Sequence, residues 1–172
     1  MKISHYLVIA IFGVSTQVNA AGYAMIGMGK TDYDAGYIST FDDPMGFEFV
    51  VGLDTSDRVS VEFGIVQFGE ADDGIPPEWH LKGDGLVISG LFKTNVSEDT
   101  EVFVQLGLNM WDQEISEDGF GVFAERDGTD PFYGFGLNFK TSEKFSLGVR
   151  YNIYDFDGDD ATRFTVNAQF PF

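Results

Sequence analysis

The chain has 172 residues and a formal net charge of −18, from ten Lys and Arg against 28 Asp and Glu. A polyanion of that strength is repelled by nucleic acid, and 44 % hydrophobic with 16 % aromatic residues excludes a disordered acidic tail. The absence of cysteine excludes disulfides, thiolate metal sites and thiol catalysis.

Met1 to Ala20 reads as an export signal. Lys2 gives a positive start, Tyr6 to Val14 is apolar, and Val18-Asn19-Ala20 offers small or short residues to a signal peptidase. The apolar run is too short to cross a bilayer core of about 30 Å as a helix. Cleavage after Ala20 leaves nine basic residues against 28 acidic, a net charge of −19. Residues 21–172 then form the mature domain. They contain no run of 18 apolar residues, so no membrane helix is expected. A barrel strand needs only about 9–11 alternating residues.

The rest alternates with a period of two in eight segments. They are Gly22–Thr31, Met45–Leu53, Arg58–Phe68, Gly83–Lys93, Thr100–Trp111, Pro131–Lys140, Phe145–Tyr154 and Thr162–Phe172. The fifth puts Val102, Val104, Leu106, Leu108 and Met110 on one face, and the seventh and eighth alternate equally well. The first and fourth alternate poorly, and Leu86-Val87-Ile88 leaves the facing of the fourth open. The opposite faces are polar or small. Gly64, Gly107, Gly134, Gly136 and Gly148 all fall there. A solvated face has no need of glycine, whereas the narrow interior of an eight-stranded barrel does.

Connections alternate between long and short. Asp54–Asp57, Thr94–Asp99 and Thr141–Lys144 are short; Asp32–Pro44, Glu70–Lys82 and Asp112–Asp130 are long, and Asp155–Ala161 is intermediate. Up-and-down membrane barrels show this pattern, with short periplasmic turns and longer external loops. In or just beyond the longer connections lie 20 of the 28 acids, so the charge belongs to one end of the molecule. The expected fold is therefore an all-β, eight-stranded antiparallel up-and-down transmembrane barrel.

Tyr133-Gly134-Phe135-Gly136-Leu137-Asn138-Phe139 with Leu147-Gly148-Val149-Arg150-Tyr151-Asn152-Ile153-Tyr154 resembles the last hairpin of OmpA-type outer-membrane barrels. Val59-Ser60-Val61-Glu62-Phe63-Gly64 is similar to that family's third strand, with its inward glutamate. Phe172, with Phe170, Ala168 and Val166 at alternate positions, resembles the signal read by the outer-membrane assembly machinery. The resemblance implies a location in the outer membrane, contact with lipid and lipopolysaccharide, and a monomer. Larger members add a peptidoglycan-binding domain. This chain stops at the last strand, so that role is not expected.

Glu62 and Arg150 project from polar faces five or six residues above short turns. A lone buried charge is costly, so a partner is expected. The resemblance implies a lumenal salt-bridge network with two further basic positions, where Gly90 and Gln105 stand. The pair is then either a structural plug or the gate of a narrow ion channel. Asp155-Phe156-Asp157-Gly158-Asp159-Asp160 fails as an EF-hand, because Asp160 and Val166 occupy the sixth and twelfth positions. It reads as a solvated acidic loop, and weak collective binding of divalent cations by the acidic loops stays open. His80, in Pro76-Pro77-Glu78-Trp79-His80, has no serine beside it in sequence, and no catalysis and no cofactor are expected. Trp111, Phe132, Tyr133 and Tyr154 read as an interfacial girdle, the alternative being a sugar-binding platform. Two functional classes follow: a surface or structural outer-membrane protein, or a charge-gated channel. A soluble periplasmic barrel holding an apolar ligand is a third.

Overall fold

A period of two sends successive side chains to opposite faces of one sheet, and here the sheet closes on itself. The computed structural model describes residues 21–34, 42–74 and 78–172; the export segment 1–20 lies outside them. Eight antiparallel strands follow one another: β1 Gly22–Asp34, β2 Met45–Ser56, β3 Val59–Asp72, β4 Trp79–Asn95, β5 Thr100–Glu117, β6 Gly121–Ser142, β7 Phe145–Phe156 and β8 Asp159–Pro171. Each pairs with the next, and β1 pairs with β8 from Tyr23↔Pro171 to Asp34↔Asp160, so no edge is left open. The fold is the expected all-β, eight-stranded antiparallel barrel.

The apolar face points outward. Leu106 is 59 % exposed and its neighbour Gln105 only 3 %. Val104, Leu108, Phe135, Val166 and Phe170 are exposed in the same way. On β5 this outward band runs from Val102 to Met110. Eight steps of about 3.4 Å at a tilt of about 40° give roughly 21 Å of height. That approaches the roughly 25 Å apolar band of membrane barrels. The soluble ligand-binding barrel, which needs the reverse facing, is overturned by this arrangement.

The five glycines meet the crowding expected of them. A Cβ on Gly64 would press on Val50, on Gly107 on the Phe132 ring, on Gly136 on the Phe103 ring, and on Gly148 on Asn138 and Asn167. At Gly134 it would strike Asn152. The facing of β4 is also resolved. Val87 turns into the lumen, whereas Leu86 and Ile88 turn out.

The outer hairpins differ from the expected loops. β5 and β6 continue their pairing to Glu117↔Gly121, so the stretch from Asp112 to Asp130 is a strand extension closed by only 118–120. β3 and β4 likewise extend to Asp72↔His80. Beyond the apolar belt the outward face is no longer apolar, so alternation fades from the sequence while the hydrogen-bond ladder continues over an inward row that includes buried Ala71 and Leu81. Asp155–Asp160 is no open loop either. Asp157 and Gly158, at φ 59° and 93°, form a two-residue turn with both residues in the left-handed region. The Asp155 carboxylate accepts from the Gly158 N–H at 2.8 Å. Arg126 lies 3.3 Å from Asp159 and 3.7 Å from Asp157.

Candidate functional site

Among the described residues four charged side chains are buried, all in the lumen: Glu48, Glu62, Arg150 and Arg163. Two acids face two arginines, so these four formal charges cancel. Strand parity puts each there. Glu48 lies between outward Phe47 and Phe49, and Arg150 between Val149 and Tyr151.

The Arg150 guanidinium forks onto the Glu62 carboxylate, Nη1 donating to Oε2 at 2.8 Å and Nη2 to Oε1 at 2.7 Å. Such a bidentate charge-assisted pair is among the stronger polar contacts available to a protein. Glu62 also accepts from the Tyr23 hydroxyl and from Gln105 Nε2 at 3.0 Å. Gln105 Nε2 donates in addition to Ser89 Oγ at 2.8 Å, and Gln105 Oε1 accepts from Asn152 Nδ2 at 3.2 Å. Arg150 lies 5.2 Å from the centre of the Phe103 ring. Gln105 thus joins the network, but Gly90 does not. It faces outward with open space at its Cβ, and inward Ser89 takes the lumenal place beside it.

Below this layer, near the short turns, Lys93 Nζ donates to Asp54 at 2.7 Å and lies 3.8 Å from Glu101. Above it the lumen is filled by Phe68, Trp111, Phe132, Tyr154 and Phe156, with Tyr33 against them. Phe132 and Tyr154 stack at 4.9 Å, and Phe68 meets Tyr154 edge-on at 4.9 Å. Trp111 Nε1 donates to Asp130 at 2.7 Å. Trp111, Phe132 and Tyr154 are therefore not girdle residues but lumenal ones; only Tyr133 of the four faces outward. The parity that turns Met110 and Ile153 out turns their neighbours Trp111 and Tyr154 in. Glu48, Arg163 and the Lys93 cluster are functional candidates that sequence reasoning passed over. The signal for Glu48 was a single acid at inward parity in an apolar run.

Phe172 lies at the β1–β8 seam. Its N–H donates to Gly22 O at 2.9 Å and its carbonyl accepts from Gly22 N at 3.3 Å. Its side chain and that of Phe170 point outward.

A second cluster stands at the outer end. His80 is directly opposite Asp72, and its Nδ1 meets the Asp72 carboxylate and lies 3.6 Å from Glu70 Oε1. Its Nε2 is 3.2 Å from Asp118 Oδ1. Hydrogen bonds to Asp72 and then Asp118 hold the imidazole pKa above its usual value, against the smaller effect of burial. Its side-chain polar contacts are all with carboxylates, although Ser116, distant in sequence, stands directly opposite it on β5. Higher still, the β5–β6 tip exposes Phe120 at 81 % and Phe123 at 71 %, and Trp79 meets Phe123 edge-on at 5.3 Å.

Residues 6–172 match the family model described as "Outer membrane protein beta-barrel domain". No curated protein matches the chain in sequence. Among solved structures, the attachment invasion locus protein Ail of Yersinia pestis, in complex with the heparin analogue sucrose octasulfate, is similar at a TM-score of 0.66 and 17 % identity. The likeness covers 90 % of this chain and all of that one. OprG of Pseudomonas aeruginosa matches at 0.64 and 10 % identity, over 89 % of this chain and 96 % of that one. Neisserial surface protein A matches at 0.63 and 10 %, over 89 % and 97 %. These identities show a shared fold. The outer-membrane family rests on the match over residues 6–172, and neither comparison singles out the OmpA type.

Proposed function

The chain belongs to the outer-membrane protein β-barrel domain family, and from that premise we propose that it acts at the cell surface as a non-catalytic contact protein with a plugged lumen. The observation that carries this reading is the β5–β6 hairpin. It rises past the apolar belt and ends in Phe120, Val122 and Phe123, all exposed. Exposed aromatics clustered at a tip, rimmed by charge, mark an interaction surface. Glu117 and Asp118 stand at the tip and Glu114, Glu125 and Asp127 follow down the two strands, so the partner surface is basic and apolar. The Yersinia pestis relative was solved with a polysulfated sugar. An outer end this acidic repels such a ligand, so the resemblance in fold does not carry that binding over.

The test is capture of the nanodisc-embedded barrel on an immobilised cationic amphipathic peptide. Replacing Phe120 and Phe123 by Ser is expected to weaken capture at least tenfold, about 1.4 kcal/mol, as loss of aromatic anchors does. Undiminished capture, or retention on heparin resin at physiological salt, would overturn the reading. In planar bilayers the same protein should show no conductance steps, because the Glu62–Arg150 pair and the aromatic layer stand across the lumen. Conductance would favour the gated channel.

Export through an N-terminal signal, insertion by the outer-membrane assembly machinery, life as a monomer among lipid and lipopolysaccharide, and weak divalent-cation binding at the acidic outer end belong to the same proposal. Support for the assembly role comes from Phe172, whose backbone closes the β1–β8 seam and whose ring, with that of Phe170, faces outward. Deleting Phe172 is expected to lower the yield of heat-modifiable barrel in the outer membrane while export across the inner membrane continues. An unchanged yield of folded barrel would remove the assembly role.

A further inference from the structure

The His80 cluster has a chemical peculiarity. A neutral imidazole carries one N–H and one lone pair, and an ionised carboxylate only accepts. Yet both ring nitrogens face carboxylate oxygens: Nδ1 faces Asp72 and Glu70, and Nε2 faces Asp118. One N–H answers one side. On the other, lone pair faces lone pair unless the ring takes up a second proton or a metal ion stands between. Glu78 adds a fourth carboxylate beside the ring. Four acids about one imidazole leave a strong negative excess even if the ring is protonated.

The ligand atoms of Glu70, Asp72 and His80 all lie within 4.8 Å of one another. Two donors on a tetrahedral ion at about 2.1 Å each are about 3.4 Å apart, and Nδ1 is 3.6 Å from Glu70 Oε1; the Asp72 carboxylate, which meets Nδ1 directly, must swing off that contact to share the ion. The other nitrogen completes the pattern. A metal-bound histidine commonly donates its second N–H to a carboxylate, which fixes the tautomer and the ring's orientation. Asp118 is placed to accept it. Framework rigidity comes from two sides. Asp72 and His80 are cross-strand partners in the β3–β4 ladder, and the Asp118 N–H donates to Glu78 O at 3.0 Å, tying the β5–β6 turn to the start of β4.

We propose that Glu70, Asp72 and His80 bind one divalent transition-metal ion of the zinc class, with His80 coordinating through Nδ1 and Asp118 positioning the ring through Nε2–H. The nitrogen donor separates this site from the all-oxygen sets that calcium and magnesium prefer. It lies on the outer end, open to the medium, and an ion there braces the β3–β4 hairpin, which the Asp118 contact to the His80 ring ties to the β5–β6 turn. This inference does not rest on the proposed contact function.

The test is zinc chloride titrated calorimetrically into metal-stripped, refolded barrel in nanodiscs, with the His80 ring followed by NMR. The expected result is one saturable site per chain that shifts the His80 ring signals and survives excess calcium and magnesium. His80→Gln and Asp72→Asn should each lose at least tenfold in affinity. Asp118→Asn should lose about 10–100-fold, the usual cost of removing such a second partner. Asp159→Asn, an acid on the neighbouring β7–β8 turn, should bind as wild type. All variants must keep the heat-modifiable gel shift, so that lost binding is not lost folding. Zinc binding equal in wild type and His80→Gln, or zinc displaced equally by calcium, would overturn the site and leave only diffuse attraction to acids.

Discussion

Glu62→Gln is expected to destabilise the refolded barrel by about 3–5 kcal/mol, because it strands a buried guanidinium. Arg150 is 3 % exposed and its polar partner is the Glu62 carboxylate. Without that charge it keeps a neutral amide, the Phe103 ring and the more distant Glu48. Arg150→Met is expected to be the milder change. It leaves Glu62 with the Tyr23 hydroxyl and Gln105 Nε2 still donating, and a lone carboxyl can take up a proton whereas a guanidinium cannot shed one. The double variant should cost less than the sum of the two, with a coupling of about 0.5–3 kcal/mol. Urea unfolding from lipid vesicles measures all four corners of the cycle. Strict additivity would show that the contact contributes nothing of its own, and a plug built on it would fall.

The consequence for function lies in the layering. A single ion pair in a polar tube resembles a gate, since a competing partner can swap it. Here the pair sits between a lower Lys93–Asp54–Glu101 cluster and an upper block of five aromatic side chains. Breaking the pair opens a polar layer but leaves the aromatic block in place. For that reason the plug reading is preferred over the gate, and the contact function is assigned to the outer end.

How much of this was legible in the sequence depends on whether a physical contrast existed to read. Within the membrane every strand has lipid on one side and a packed polar lumen on the other. Alternation is therefore strong, and the strands and the inward facing of Glu62, Gln105 and Arg150 follow from it. Beyond Met110 and Gln67 that contrast ends, and the extensions of β5, β6, β3 and β4 looked like loops. Consecutive apolar residues misled in a second way. Val87, between outward Leu86 and Ile88, and the aromatics at 111, 132 and 154 are apolar on the lumenal face, because the upper lumen is packed with hydrocarbon. Hydropathy alone would turn them outward, yet parity with Met110, Pro131 and Ile153 turns them in. Gly90 stands one residue from the lumenal position that the resemblance implies for it, where Ser89 sits, and one residue is enough to change face. The His80 cluster needs contacts between hairpins 38 residues apart, which no local pattern carries.

An arginine carried along the outward positions of β5 should trace the membrane itself. Val102, Val104, Leu106, Leu108 and Met110 lie at successive depths on the lipid face, and Leu106 is central among them. Its cross-strand neighbours are Gly90 and Tyr133, both on the outer surface, so a long side chain there meets lipid and not protein. Leu106→Arg is expected to cost about 2–4 kcal/mol, and Val102→Arg and Met110→Arg close to 0–1, because the cost falls toward the interfaces. Reversible unfolding from vesicles gives these values directly. A spin label at 106 should be reached by lipid-soluble oxygen, and one at 105 should be immobile in a crowded polar interior, where Gln105 now holds Glu62 and Ser89. The profile must peak at the centre, because desolvation of the guanidinium is deepest there and the side chain can reach the headgroups from either end. A flat profile, or a label at 105 that moves freely in water, would mean that the apolar face does not meet lipid, and the outer-membrane assignment would fail with it.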